Sequence, residues 1–260
     1  MTVEAVFVQD GERFTATELA LGPWAEGALH GGATAALLAH VLEREPVAPG
    51  LRLARLTCEL VAPAPPESLS VTVQTVRPGR RMTLLDAAVS DGGDREVCRA
   101  RGLLLAPSAV GPTPRMAPPF PGPEQGVGTQ FHVRGRRMFA TDAMDIRFVE
   151  GAFLELGAAT AWFRLRQPLV SGRPVSPLER LMAAADFGNG IASVISWESH
   201  VFINPDLTVY VEREPEGEWV ALQSEMRALP GSVAVAESVL WDQGGRIGRA
   251  VQSLIVGPRP

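Results

Sequence analysis

The chain contains no lysine: its 24 basic residues, in a length of 260, are all arginine. That absence excludes Schiff-base chemistry on a lysine and the lysine of a phosphate-binding loop. Cysteine is almost as scarce. Cys58 and Cys98 are the only two, and both fall inside apolar, strand-like runs, where a thiol reads as a small buried hydrophobe rather than a nucleophile. Positive charge is not in excess either. A net charge of −5 leaves no electrostatic footprint for nucleic acid, so an anionic ligand would have to be met locally. No run approaches the ~18 consecutive apolar residues of a membrane span, and residues 1–11 lack the charged and apolar regions of a secretory leader. A soluble, cytoplasmic protein is expected, with no membrane partner.

Proline is abundant and unevenly placed. Seven prolines fall between Pro107 and Pro123, a composition that reads as an extended linker. It separates a unit of residues 1–106 from one of residues 128–260, with 107–127 between them, and 46% hydrophobic content is ample for a core in each.

The two units read as copies of one another. Arg99-Ala100 followed by Leu104-Leu105 mirrors Arg249-Ala250 followed by Leu254-Ile255, 150 positions later. Leu56-Thr57 mirrors Leu207-Thr208 at an offset of 151. Each copy approaches its last strand through a turn, Asp91-Gly92-Gly93 in one and Asp242-Gln243-Gly244-Gly245 in the other.

Hydrophobic periodicity predicts one helix and several strands per copy. In the first, a strand over Phe14–Leu19 precedes a helix over Ala33–Glu43, and strands over Leu53–Val61, Leu69–Arg77, Met82–Ser90 and Val97–Leu105 follow. In the second, Met144–Val149 and Ala158–Arg166 enter a helix over Leu178–Phe187, ended by Gly188. Strands follow over Val201–Ile203, Leu207–Glu212, Trp219–Arg227, Val233–Trp241 and Gly248–Val256. The fold class implied is α+β, a curved antiparallel sheet wrapped around a single helix, made twice.

Thr34, Leu37, Leu38, Val41 and Leu42 form the apolar stripe of the first helix. The second opens with Ser176-Pro177-Leu178-Glu179, a capping box with proline at the first helical position. Three features break local rules. Gly31 and Gly32, after His30 at a helix start, each cost about 1 kcal/mol of helix propensity. Close approach of a ligand to the backbone, with helix-end amides facing a developing oxyanion, would explain them; a tight turn is the plainer alternative. Asp186 stands in the last turn of its helix among apolar neighbours, where the macrodipole disfavours negative charge. No arginine lies within four residues of it on this helix, so it reads as an unpaired, strongly basic carboxylate or else a solvated turn residue. Gln252 places an amide in the middle of the apolar row Ala250, Leu254, Val256. At the local offsets, the first-copy counterparts of Asp186, Asn204 and Gln252 are Ala39, Leu53 and Gly102, so one polar site is kept and its twin lost.

The His30-Gly31-Gly32 mouth, the duplication, and the phrases ADFGNG (Asp186), FINPDLTVYVER (Asn204–Arg213) and GRAVQSLIV (Gln252) resemble the double hotdog acyl-CoA thioesterases across nearly the whole chain. The resemblance implies two tandem hotdog units, hydrolysis of acyl-CoA or a similar thioester to free acid and CoA, and no cofactor, CoA being part of the substrate. It implies an attacking water held by an Asp, a Thr or Ser, and a Gln. These fall on Asp186, Asn204 and Gln252, with asparagine a departure at the hydroxyl position, where Asn204-Pro205-Asp206 also reads as a plain turn. Thr208 is a weaker substitute.

In the mechanism so implied, Asp186 takes a proton from water while the Gly31 or Gly32 amide meets the thioester oxygen and the acyl chain lies between the helices. His30 is either a neutral hydrogen-bonding group at the substrate or a structural cap. Arg77, Arg80 and Arg81 either meet CoA phosphates or form a solvated edge. An enoyl-thioester hydratase using His30 and Asp186, and a non-catalytic acyl-CoA-binding or assembly protein, are the alternatives. Free strand edges favour a homo-oligomer.

Overall fold

The computed structural model describes residues 4–107, 114–129 and 135–259; residues 108–113 of the proline-rich segment lie outside them. Among the described residues fourteen strands join in one antiparallel sheet. The strands are β1 (Phe7–Asp10), β2 (Arg13–Ala16), β3 (Arg52–Glu59), β4 (Leu69–Arg77), β5 (Met82–Ser90), β6 (Glu96–Leu105), β7 (Val127–Gly128), β8 (Met144–Glu150), β9 (Ala159–Leu165), β10 (His200–Ile203), β11 (Asp206–Val211), β12 (Val220–Arg227), β13 (Ala234–Asp242) and β14 (Gly245–Pro258). The helices are α1 (Gly31–Leu42), α2 (Pro177–Ala185) and the single turn α3 (Gly188–Ile191).

The order across the sheet is β1-β2-β4-β5-β6-β3-β11-β14-β13-β12-β9-β8-β7, with β10 also paired to β14. Each half therefore repeats the same order outward from the centre, β3-β6-β5-β4-β2 on one side and β11-β14-β13-β12-β9 on the other. The halves meet at the β3–β11 ladder, where Thr57 pairs with Thr208, Leu56 with Val209 and Cys58 with Leu207. Residues 151 apart thus lie symmetrically about the Thr57–Thr208 pair. The next ladders repeat the relation, Thr57 opposite Arg101 and Thr208 opposite Val251.

Helix α1 differs from its expected single stripe. Apart from Val41 it is buried from Gly32 to Leu42, including Ala33, Ala35, Ala36 and Ala39, because small side chains let α2 approach on one side while the sheet covers the others. It also starts two residues earlier than expected, His30 serving as its cap. Gly188 does not end the second helical segment; the chain turns at Asp186 and Phe187 and continues as α3. The part of the proline-rich segment that is described is not extended throughout, since Pro123–Gln125 forms a 3-10 turn before β7. Phe120 packs edge-on against Trp162 and Trp241 on the sheet's outer face. Among the described residues no helix is long and apolar enough to cross a membrane.

The two long helices run antiparallel in direct contact, the start of α1 against the end of α2. At the opposite pole a buried polar lock joins them. His40 Nδ1 lies 2.7 Å from Glu179 Oε1, while the other carboxylate oxygen accepts the Ser176 amide at 2.9 Å and Ser176 Oγ accepts the Glu179 amide at 3.0 Å. The capping box thus also fastens one helix to the other. Replacing Glu179 by alanine removes the partner of a buried imidazole and the reciprocal cap together. Urea unfolding is expected to show a loss of about 2–5 kcal/mol, with Glu179→Gln closer to the natural protein.

Candidate active site

Asp186 follows the last residue of α2, and its backbone caps the helix with φ −77° and ψ −10°. Its carboxylate, only 5% exposed, turns toward the start of α1. Gly32 donates its amide to Asp186 Oδ2 at 2.8 Å, and His30 Nδ1 stands 3.1 Å from the same oxygen. Asp186 Oδ1 accepts from Asn204 Nδ2 at 2.8 Å and from Gln252 Nε2 at 3.1 Å. The expectation of an unpaired carboxylate is therefore corrected: the partners come from other elements, invisible to an inspection of one helix. The unfavourable end of α2 is offset by the favourable end of α1.

The glycines explain themselves in this geometry. A Cβ on Gly31 would lie 2.7 Å from Asp186 Oδ2 and 2.8 Å from Oδ1, and one on Gly32 would lie 2.7 Å from the Ala183 carbonyl oxygen. Both side chains are missing because the other helix occupies their space. The Gly32 amide consequently serves Asp186 rather than a substrate. The Gly31 amide, at the first helical position, has no hydrogen-bond acceptor among the described residues, as expected of an amide that precedes the first intrahelical bond.

Asn204 lies in a break between β10 and β11, both of which pair with β14. Asn204-Pro205-Asp206 is a bend rather than the turn its composition suggests, since β10 and β11 run the same way along β14, and the break swings the amide inward. There Asn204 Nδ2 also donates to the Asp206 carbonyl at 3.2 Å, while the Asp206 carboxylate accepts the Ser253 amide at 2.8 Å. Gln252 projects from β14 into the interior and its oxygen accepts the Asn189 amide at 3.2 Å. Asn189, not singled out from the sequence although it stands in the ADFGNG phrase, donates from Nδ2 to Asn204 Oδ1 and to the Phe202 carbonyl, both at 3.4 Å. Its signal was a second amide in an otherwise apolar turn. Thr208 plays no part: its hydroxyl donates to Thr57 at 3.2 Å on the central ladder.

A cavity of about 420 Å³ opens against this cluster. His30, Gly31, Asp186, Asn189 and Asn204 line its polar end, and Trp24, stacked on Trp197 with centroids 4.9 Å apart, forms part of its apolar wall. The space lies off the shared end of the helices rather than between them, because α1 and α2 touch. That corrects the expected path of an acyl chain. Arg77, Arg80 and Arg81 are not brought to the site. Their hairpin pairs with the Leu105 end of β6, whereas the cavity touches Val97 and Cys98 at the other end, about seven residues and roughly 23 Å of strand away. Cys58 and Cys98 are both buried. The Cys58 thiol is held well above the usual thiol range by its hydrogen bond with Cys98 and then by burial, so it stays neutral and acts as packing.

Family models place the chain. The acyl-CoA thioesterase N-terminal domain matches residues 20–105, and the acyl-CoA thioesterase C-terminal domain matches residues 114–256. The chain belongs to the acyl-CoA thioesterase family. It is accordingly a thioesterase. Among solved structures it is similar to a candidate thioesterase II from Thermobifida fusca (17% identity, TM-score 0.76, covering 99% of this chain and 100% of that one). It is also similar to an acyl-CoA thioesterase II, TesB2, from Mycobacterium marinum (17% identity, TM-score 0.66, 97% and 95% covered). A hotdog-fold protein from Alicyclobacillus acidocaldarius matches with 17% identity, a TM-score of 0.73 and 98% and 96% coverage. At such identities these likenesses establish the fold, a hotdog-type antiparallel sheet. No curated protein sequence matches the chain.

In this thioesterase, Gly31→Ala separates stability from activity. Helix propensity favours alanine by up to about 1 kcal/mol, but the new methyl group displaces the Asp186 carboxylate. Thiol release is expected to fall at least about tenfold, with little change in the melting temperature; an unchanged rate would show that the carboxylate position is not critical.

Proposed function

We propose that the chain is a tandem double hotdog that hydrolyses acyl-CoA thioesters to free acid and CoA, using a water activated at Asp186. The repeated strand order supports the tandem reading, each half supplying a sheet that curves over its own helix. One observation carries the functional reading: three N–H donors and the His30 ring, from the start of α1, the β10–β11 break and β14, converge on one buried carboxylate at the polar end of a mostly apolar cavity. The thioester carbonyl is placed at the start of α1, where the Gly31 amide receives its oxygen, and the acyl group extends toward Trp24 and Trp197. Asn204 and Gln252 fix the carboxylate plane, and water entering beside them is oriented toward the carbonyl carbon. Asparagine in place of a hydroxyl residue still offers Asp186 an N–H donor, which preserves the polarity of the contact.

The 3.1 Å approach of His30 to Asp186 also favours a second reading, addition of water across an enoyl thioester. The two are separated by product. Hydrolysis releases free thiol, whereas hydration consumes the enoyl double bond and leaves the thioester intact.

A free-thiol assay across acyl-CoA chain lengths tests the proposal on the natural protein and on Asp186→Asn. Turnover by the natural protein is expected to fall at least about 100-fold in the variant, with the circular dichroism spectrum and cooperative melting retained. Equal rates would remove Asp186 from the chemistry.

A further inference from the structure

We infer that Arg259 holds a phosphate of the arm that carries the acyl group, at the mouth of the cavity whose inner end is Asp186. This rests on the acyl-thioester reading above and names the residue that meets the anionic part of the substrate.

Charge sets the need. A thioester on CoA, or on a pantetheine arm borne by a carrier protein, is uncharged at the reacting carbon and carries phosphate at the far end of the arm. The chain has a net charge of −5, so its overall field repels such a ligand and the attraction must be local. The hairpin of Arg77, Arg80 and Arg81 stands at the wrong end of its strands to supply it. The cavity has its own cation. Asp186 is the only carboxylate among its lining residues, and Arg259 the only guanidinium.

These two charges are held apart. Gln252, whose side chain donates to Asp186 at 3.1 Å, lies within β14, and Arg259 follows that strand's last residue. The distance between the two positions is roughly 23 Å of extended chain. Partway along, Ile255 pairs with Ile203 across the β10–β14 ladder. Both line the cavity, yet they are 62% and 38% exposed, an open apolar track suited to being covered by a long uncharged arm. The acyl group lies against Trp24 and the arm runs over the isoleucines, so the two leave the carbonyl along different walls.

Arg259 is oriented but not consumed by the fold. Its backbone amide donates to the Ser199 carbonyl and its Nε to the Trp197 carbonyl, both at 2.9 Å. These bonds fix the guanidinium and use one of its five N–H groups. Among the described residues Nη1 and Nη2 have no acceptor, and no carboxylate is in ion-pair contact with them. Arg101, Arg213 and Arg227, by contrast, are each paired with a carboxylate. The fork that remains matches two oxygens of one phosphate, at an exposed position where the arm emerges.

Isothermal titration calorimetry with CoA and with pantetheine, on the natural protein and on Arg259→Gln, tests the assignment without relying on turnover. Glutamine keeps a donor for the Trp197 carbonyl and removes the charge, so melting is expected to be unchanged. Kd for CoA is expected to rise about tenfold, the difference narrowing as salt is raised, while Kd for pantetheine, which has no phosphate, stays the same. Phosphopantetheine separates the sources. A loss shared with it supports the inference at the phosphate common to CoA and carrier-borne arms, and a loss confined to CoA supports it at the nucleotide. Equal affinity of the two proteins for CoA, or an equal loss for pantetheine, would overturn it. A natural protein that binds CoA through Arg259 yet releases no thiol from any acyl-CoA would instead remove the hydrolase reading and leave the phosphate contact standing.

Discussion

The contact on which the site depends is the one between the start of α1 and the end of α2. An unsatisfied helix N-terminus and a carboxylate at a helix C-terminus are each unfavourable alone. Placed against one another they become mutually stabilising, the 2.8 Å bond from Gly32 to Asp186 joining the positive end of one dipole to a buried negative charge. The contact requires helices close enough for backbone to touch side chain, which is why Gly31 and Gly32 carry no Cβ and why α1 is lined with alanine. Everything else polar in the cluster is arranged around that carboxylate, and the cavity opens where the two helix ends leave the sheet.

The repeated strand order of the two halves frames the asymmetry. An antiparallel helix pair related by an approximate two-fold has two equivalent poles, each joining the start of one helix to the end of the other. At one pole stand Gly32 and Asp186. At the other, Ala39 occupies the position corresponding to Asp186, and His40 and Glu179 form a lock. The second pole has thus become a fastening, sealed by a capping box and a buried pair, while the first retains a cavity. Thr57 and Thr208 mark the centre of the relation, paired in register and joined through their hydroxyls.

Much of this was legible in the residues because strand alternation and turn chemistry are local. The bounds Leu69–Arg77 and Met82–Ser90 agree with the strands observed, and the Ser176-to-Glu179 spacing identified its cap. The amide in the apolar row marked Gln252, and the two glycines marked the mouth. Whatever depends on contacts across the chain was not legible. Asp186 read as unpaired because its partners lie far along the chain, Gly32 being 154 residues away. The acyl path was placed between the helices because periodicity does not report how closely two helices approach. Arg77, Arg80 and Arg81 form a charged hairpin whose distance from the cavity is set by strand register. Asn189 escaped notice because its role exists only through Asn204 and Gln252.

On the proposed function, the two halves of the chain converge on one reacting carbonyl. A crystal structure with a ketone analogue of acyl-CoA, in which a methylene replaces the thioester sulfur, is the sharpest test. The ketone oxygen is expected within hydrogen-bonding distance of the Gly31 amide, with its carbon facing His30 and Asp186 and the acyl group against Trp24. An analogue bound with its carbonyl remote from Gly31, or seated elsewhere on the molecule, would refute the convergence.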